Sequence, residues 1–187
     1  MSFNIKGKLR IMKSFSEFLV EAVENKSYNA NPLNLGEAIK AVTDEKSFFK
    51  NKSIIRKFEK SEYDNDVSTT NVVADAENYV KKLSKRFADV QFVARYDVDF
   101  SETERTGYVF AKAGDGYIML RSFHSVSLDN AVEDSKRVGN DDFSYQELDF
   151  INKNQFSSYM TKSAFISEYG TDKEFQNQVN ELIQDSE

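Results

Sequence analysis

Cysteine is absent from this chain, which excludes disulfides, thiol catalysis and thiolate metal sites and suits a reducing compartment. Histidine occurs once, as His124. With one imidazole and no thiolate, a metal would rest on carboxylates, so a zinc centre is not expected, nor is any other cofactor. Only 7 glycines and 1 proline occur among 187 residues, too few for a linker or a low-complexity protein. No apolar run approaches the roughly 20 residues that span a bilayer. The opening "MSFNIKGKLRI" lacks the apolar stretch of a secretory signal. The expectation is a protein made and kept inside a cell, with no membrane partner. Phosphate-loop and nucleophile-elbow sequences are missing as well. "GDG" (114–116) is too short to cradle a phosphate and leads into a strand, so it reads as turn chemistry.

What is present suffices for one folded domain, with or without a detachable leader. Hydrophobic residues make up 40% of the chain, 16 of them phenylalanine, and 30% of the residues are charged. The net charge is −6. Residues 1–21 carry Lys6, Lys8, Arg10 and Lys13 against Glu17 and Glu21, a net of +2, which leaves the remainder at −8. Such an acidic body repels a phosphate backbone at long range, which argues against non-specific binding of nucleic acid.

Periodicity predicts an α+β fold: a small antiparallel β-meander flanked by helices, with an N-terminal helical leader. Ser14 and Glu17 form a capping box ahead of the stripe Phe15, Phe18, Leu19 and Ala22, ending near Asn25. Short helices are expected at Leu35–Val42 and Ser53–Lys60, then a polar connector over 61–70, so that 22–70 reads as a helical segment and 71–187 as the body. The strongest helical pattern runs from Asn71 to Phe87 through Val72, Val73, Ala76, Tyr79, Val80 and Leu83. The period then falls to two over 90–100, with a turn at 101–107 and a hairpin of 108–113 and 117–126 about "GDG". Residues 127–138 form a helix or a polar excursion. Ser144 and Glu147 box a helix through about Asn154, and a last helix spans Asp172 to Gln184. No internal repeat is present.

The stretch "MKSFSEFLVEA" (12–22) resembles the capsid-targeting sequence of internal head proteins in T-even type bacteriophages. Those leaders begin Met-Lys, carry an aromatic residue a few positions on, and close with an apolar residue, any residue, Glu and a small residue. Met12, Lys13, Phe15, Phe18, Leu19, Glu21 and Ala22 match that plan. The resemblance implies that Phe15, Phe18 and Leu19 dock on the prohead core. It further implies that the prohead protease reads Leu19 and Glu21 and cuts before Ala22. The processed body would then occupy the capsid interior of the virion and pass with the genome into the host cytoplasm, there to bind and counteract a host defence factor, an anti-defence role in host takeover. A prohead core or scaffold component and an injected host-modifying enzyme are the alternatives. The likeness covers these eleven residues only. It departs from the family in the preceding "MSFNIKGKLRI", which leaves both Met1 and Met12 open as the natural start. Leu35-Gly36-Glu37-Ala38 repeats the cleavage pattern and is open as a second cut, while Ser14–Asn25 also fits a plain first core helix.

Candidates for chemistry in the body are few, and binding rather than catalysis is expected. Taking alternate residues of strand 117–126, His124 falls with Ile118, Leu120, Ser122 and Val126, the more apolar face. That suits a satisfied, partly buried histidine, with a general base as the alternative. Glu102, Glu104 and Arg105 lie near Asp97 and Asp99, where paired carboxylates could share acid and base roles or hold a hard cation, and where a charged hairpin edge also discourages strand pairing between molecules. Arg121 completes the set. Lys50, Lys52, Arg56, Lys57 and Lys60 form a basic patch that reads as a solvated helix face, or as a contact for nucleic acid or an acidic partner. The acidic stretches "YDVDFSETE" (96–104) and "NDD" (140–142) raise the prospect of a DNA mimic directed at a host restriction or defence factor.

Overall fold

The computed structural model describes residues 34–62, 69–137 and 148–186. The expected leader, the docking and cleavage residues that the resemblance implies (Phe15, Phe18, Leu19, Glu21, Ala22) and the expected Ser144–Glu147 box lie outside them. The chain divides into two units between Asn34 and Leu35, and the architecture below belongs to the second. Helices α1 (Asn34–Lys40), α2 (Glu45–Glu62) and α3 (Val72–Arg86) precede strands β1 (Phe92–Val98), β2 (Arg105–Ala113) and β3 (Gly116–His124). A 3-10 turn at Leu128–Asn130 leads into α4 (Ala131–Arg137), then strand β4 (Asp149–Asn152) and helices α5 (Lys153–Ser158), α6 (Lys162–Tyr169) and α7 (Asp172–Gln184). The four strands pair antiparallel in the order β1-β2-β3-β4. The chain is α+β, as its periodicity predicts.

Helix α3 forms because its apolar residues fall on one side. Val72, Val73, Ala76, Tyr79 and Leu83 are buried, each large one contributing about 1.5–3 kcal/mol by leaving water. Lys85 and Arg86 in the last turn complement the helix dipole. This face packs on the sheet against Tyr96, Val109 and Phe123 in one core cluster. Helices α1 and α2, from the helical segment expected at 22–70, add Leu35, Ile39, Val42, Phe48, Ile55 and Phe58 to the same core. Gly107 makes the close approach possible: a Cβ there would stand 2.8 Å from the Val72 carbonyl oxygen. The opposite face of the sheet carries a smaller cluster, Phe110, Met119, Ile151 and Phe156, closed by Tyr117 and Tyr159.

The β2–β3 connection is two residues long, with Gly114 at φ +50, the positive φ that mirror-image hairpin turns need at their first central position. Farther up the hairpin the register slips. Val109 pairs with Arg121 and Phe110 with Met119, which leaves Leu120 as an extra residue, a β-bulge. Alternation therefore breaks at Leu120. Arg121 and Phe123 join Ile118 and Leu120 under α3, whereas Ser122 and His124 turn to the other side. The face expected for His124 is corrected accordingly.

The sequence predicts a helix through about Asn154, but Asp149–Asn152 forms the edge strand β4 against Gly116–Met119. Phe150 packs into the main core and Ile151 into the second cluster, which only an extended segment can do. The helical start falls instead at Asn152. Its side chain accepts the Gln155 amide at 2.9 Å, and the Gln155 side chain accepts the Asn152 amide at 2.9 Å, a capping box.

Candidate functional site

Polar groups converge at the end of the sheet where the β1–β2 turn, the start of β2 and the end of β3 meet. The turn is organised by Asp99. Its carboxylate accepts the amides of Thr103 (2.7 Å), Glu104 (2.6 Å) and Ser101 (3.3 Å) and the Thr103 hydroxyl (3.3 Å). Partial burial pushes its pKa up, but the amide of Glu104 and the bonds from Ser101 and Thr103 outweigh that and hold the carboxyl below its usual value. Glu102 takes the left-handed conformation, φ 59, a conformation uncommon outside glycine, asparagine and aspartate. Phe100 at the tip is fully exposed.

Next to this turn, His124 joins two strands. Its Nδ1 lies 3.0 Å from Glu104 Oε1 and 3.1 Å from Thr106 Oγ1, and its Nε2 lies 3.0 Å from Ser122 Oγ. With the proton on Nδ1 directed to Glu104, Nε2 accepts the Ser122 hydroxyl. Carboxylate, imidazole and hydroxyl then stand in the order that activates a serine nucleophile. Access decides what the arrangement can do. The Glu104 side chain is 38% exposed and that of His124 13%, but Ser122 is 0% exposed. As folded, the Ser122 hydroxyl is buried where no substrate reaches it.

The two arginines singled out from the sequence are not part of this cluster. Arg105 points to the other face. It donates from Nη1 to the Thr171 carbonyl (3.0 Å) and from Nη2 to that of Gly170 (2.9 Å), and its guanidinium carbon stands 4.7 Å from the Phe165 ring centre and 5.2 Å from that of Phe175. Burial lowers its pKa, opposed by Asp172 and Glu174. Arginine keeps its charge at such a site. Its role is to tie the α6–α7 corner to the sheet. Arg121 is buried under α3, 5.9 Å from the Tyr79 ring centre and 5.5 Å from that of Phe123. Glu102 projects from the turn into solvent. Of the five candidates, the structure therefore unites Glu104 and His124. It adds Ser122 and Thr106, which sequence reasoning missed. Ser-x-His two apart on one strand, opposite a Thr on its neighbour, is the available signal, readable once the register is known.

Elsewhere on the second face a cleft of about 510 Å³ lies between α2 and β4, with Met119 and Ile151 as its floor and Lys52, Asp149, Gln155 and Tyr159 around it. In the basic patch, Lys50, Arg56 and Lys57 are exposed, while Lys52 lies 5.4 Å from the rings of Phe48 and Phe49. Among the described residues no group of three or more His, Asp or Glu side chains could hold a metal ion, and no helix is long and apolar enough to cross a membrane. No family model, curated protein or solved structure matches the chain.

Proposed function

We propose that the chain is cargo of a bacteriophage head: a leader ending at Glu21 carries it into the prohead, the prohead protease releases it before Ala22, and the acidic body acts in the host by binding a defence factor. The observation that carries this reading is the match of Met12, Lys13, Phe15, Phe18, Leu19, Glu21 and Ala22 to the plan of a capsid-targeting leader. Binding is favoured over catalysis because the Ser122 hydroxyl, aligned for attack, is buried, while the acidic turn around Phe100 is presented to solvent.

Deleting residues 1–21 is the direct test. The truncated protein should fold and be lost from particles, and the protein recovered from mature virions should begin at Ala22. Incorporation that survives the deletion, or collapse of the truncated body, overturns the proposal. For the electrostatic mimic, binding to a host nuclease should weaken as salt rises; binding that persists in high salt removes it.

The Glu104–His124–Ser122 relay favours one second reading, an injected host-modifying enzyme. It requires an opening that exposes Ser122. Labelling of the native protein by a fluorophosphonate, lost in Ser122→Ala, would establish it, and absence of labelling excludes it.

A further inference from the structure

Phe100 is the most exposed of the large apolar side chains among the described residues, and the turn that holds it is stiff. Besides the Asp99 bonds, the Leu128 amide donates to the Thr103 carbonyl at 3.0 Å, and the Thr103 and Ser127 hydroxyls lie 3.2 Å apart. An apolar ring held in water on an ordered turn has little conformational freedom left to lose on docking, the property of an interface anchor. Asp97 and Glu102 beside it are exposed, so the anchor stands in an acidic rim.

The far end of the same hairpin carries a cleft of about 280 Å³. Ile39, Val90 and Ala113, all buried, make its floor. Lys40, Lys112 and Asp89 stand on its rim. Asp89 pairs with Lys40. Lys112 donates to the carbonyls of Gly114 and Gly116 at 2.9 and 3.3 Å, and among the described residues no carboxylate pairs with it. Among the lining residues two lysines therefore stand against one carboxylate. The volume lies below the roughly 300–1,000 Å³ of ligand clefts and suits a single side chain.

We propose that Phe100 of one copy seats in this cleft of a second copy, so that the chain associates head to tail through an aromatic knob with an acidic collar and an apolar socket with a basic rim. The two cannot meet within one molecule, because the extended strand between Gln91 at the cleft and Phe100 at the tip spans roughly 30 Å at about 3.3 Å per residue. Knob and socket are different surfaces, so the contact is heterologous and continues into a ring or a filament. A single anchor of this size gives weak association, populated between roughly 10 µM and 1 mM. The contact does not depend on the packaging reading.

Sedimentation equilibrium of the full chain over that range is the test, with Phe100→Ser removing the knob and Lys40→Glu reversing charge at the socket. Both positions are at the surface, and thermal melts check that both variants fold. The wild type should show an average mass rising with concentration, and each variant alone should stay monomeric. Mixed, the two variants should form a one-to-one dimer that grows no further, because Phe100→Ser keeps its socket and Lys40→Glu keeps its knob. A wild type that stays monomeric throughout, association that persists in Phe100→Ser, or a mixture that does not dimerise each overturns the proposal.

Discussion

Asp172 caps a helix that begins 100 residues before it: its carboxylate accepts the amide of Val73 at 3.2 Å and that of Ala74 at 3.0 Å. Asn71, the residue in the capping position of α3, makes no side-chain capping bond of its own. A negative charge from α7 thus meets the positive end of the α3 dipole and satisfies two amides that no helical carbonyl reaches. The same carboxylate lies 3.8 Å from Arg105 Nη2, so α3, α7 and β2 meet at one group.

Asp172→Ala should destabilise the body by about 1–2 kcal/mol, the range for loss of a cap, with the loss concentrated in α3. Urea denaturation gives the total. Amide hydrogen exchange should show the first turn of α3 opening before its middle. Protection at Val73 and Ala74 that matches the wild type would sink the assignment.

Arg105 should be less replaceable. Its two terminal nitrogens reach two successive carbonyls while its guanidinium carbon stands 4.7 and 5.2 Å from the centres of two aromatic rings, a geometry that one ammonium cannot copy. Arg105→Ala, which empties a buried site and leaves Asp172 without its cation, should cost about 3–5 kcal/mol. Arg105→Lys should recover less than half of that loss in urea midpoints. Full recovery by lysine would show that charge alone matters there.

These two contacts mark where sequence reasoning ends. Period-two and helical stripes located β1, β3, α3 and α7, because alternation and amphipathicity are local consequences of burial on one face. They did not anticipate β4, whose four residues put Phe150 into one cluster and Ile151 into another and so carry no alternation of polar and apolar. One inserted residue, Leu120, reversed the side on which His124 stands, since parity carries no record of a bulge. Glu104 and His124 were identified as separate candidates; their 3.0 Å contact depends on strand register, which is set across the sheet rather than along the chain. The Asp172 cap spans about half the chain and leaves no local trace at Asn71. Phe100 reads in sequence as the last member of an alternating strand, whereas the turn begun by Asp99 throws it into solvent.

Acid should loosen three local structures before the core yields. Hydrogen bonds from Ser47 hold the Asp44 carboxyl below its usual value, those from Thr171 do the same for Glu174, and the turn amides, against partial burial, do so for Asp99. A carboxyl with a depressed folded pKa binds protons more weakly than the unfolded chain does. Its contribution is present above the unfolded pKa and is lost as pH falls through the folded one. Urea midpoints should therefore be flat near neutrality and drop from about pH 5 downward. In Asp99→Asn the group no longer titrates, so the drop should be shallower. An unchanged slope would remove Asp99 from the acid response.

The bond after Glu37 should resist a glutamate-specific protease. Leu35-Gly36-Glu37-Ala38 repeats the Leu-x-Glu-Ala spacing of residues 19–22, but Leu35 and Ala38 are 1% and 4% exposed within α1 and belong to the main core. A protease must bind its substrate extended, and extending these residues pulls Leu35, Ala38 and Ile39 out of the core together, at about 1.5–3 kcal/mol for each large side chain. Gly36 offers no slack, since a Cβ there would already stand 3.3 Å from the Phe87 ring. Digestion of the native chain with a glutamate-specific protease, followed by intact-mass measurement, should leave the bond between Glu37 and Ala38 whole. In Leu35→Asp, which weakens the seating of α1, the same bond should open. Prompt cutting after Glu37 in the native wild type would mean that α1 is not held to the core as its burial indicates.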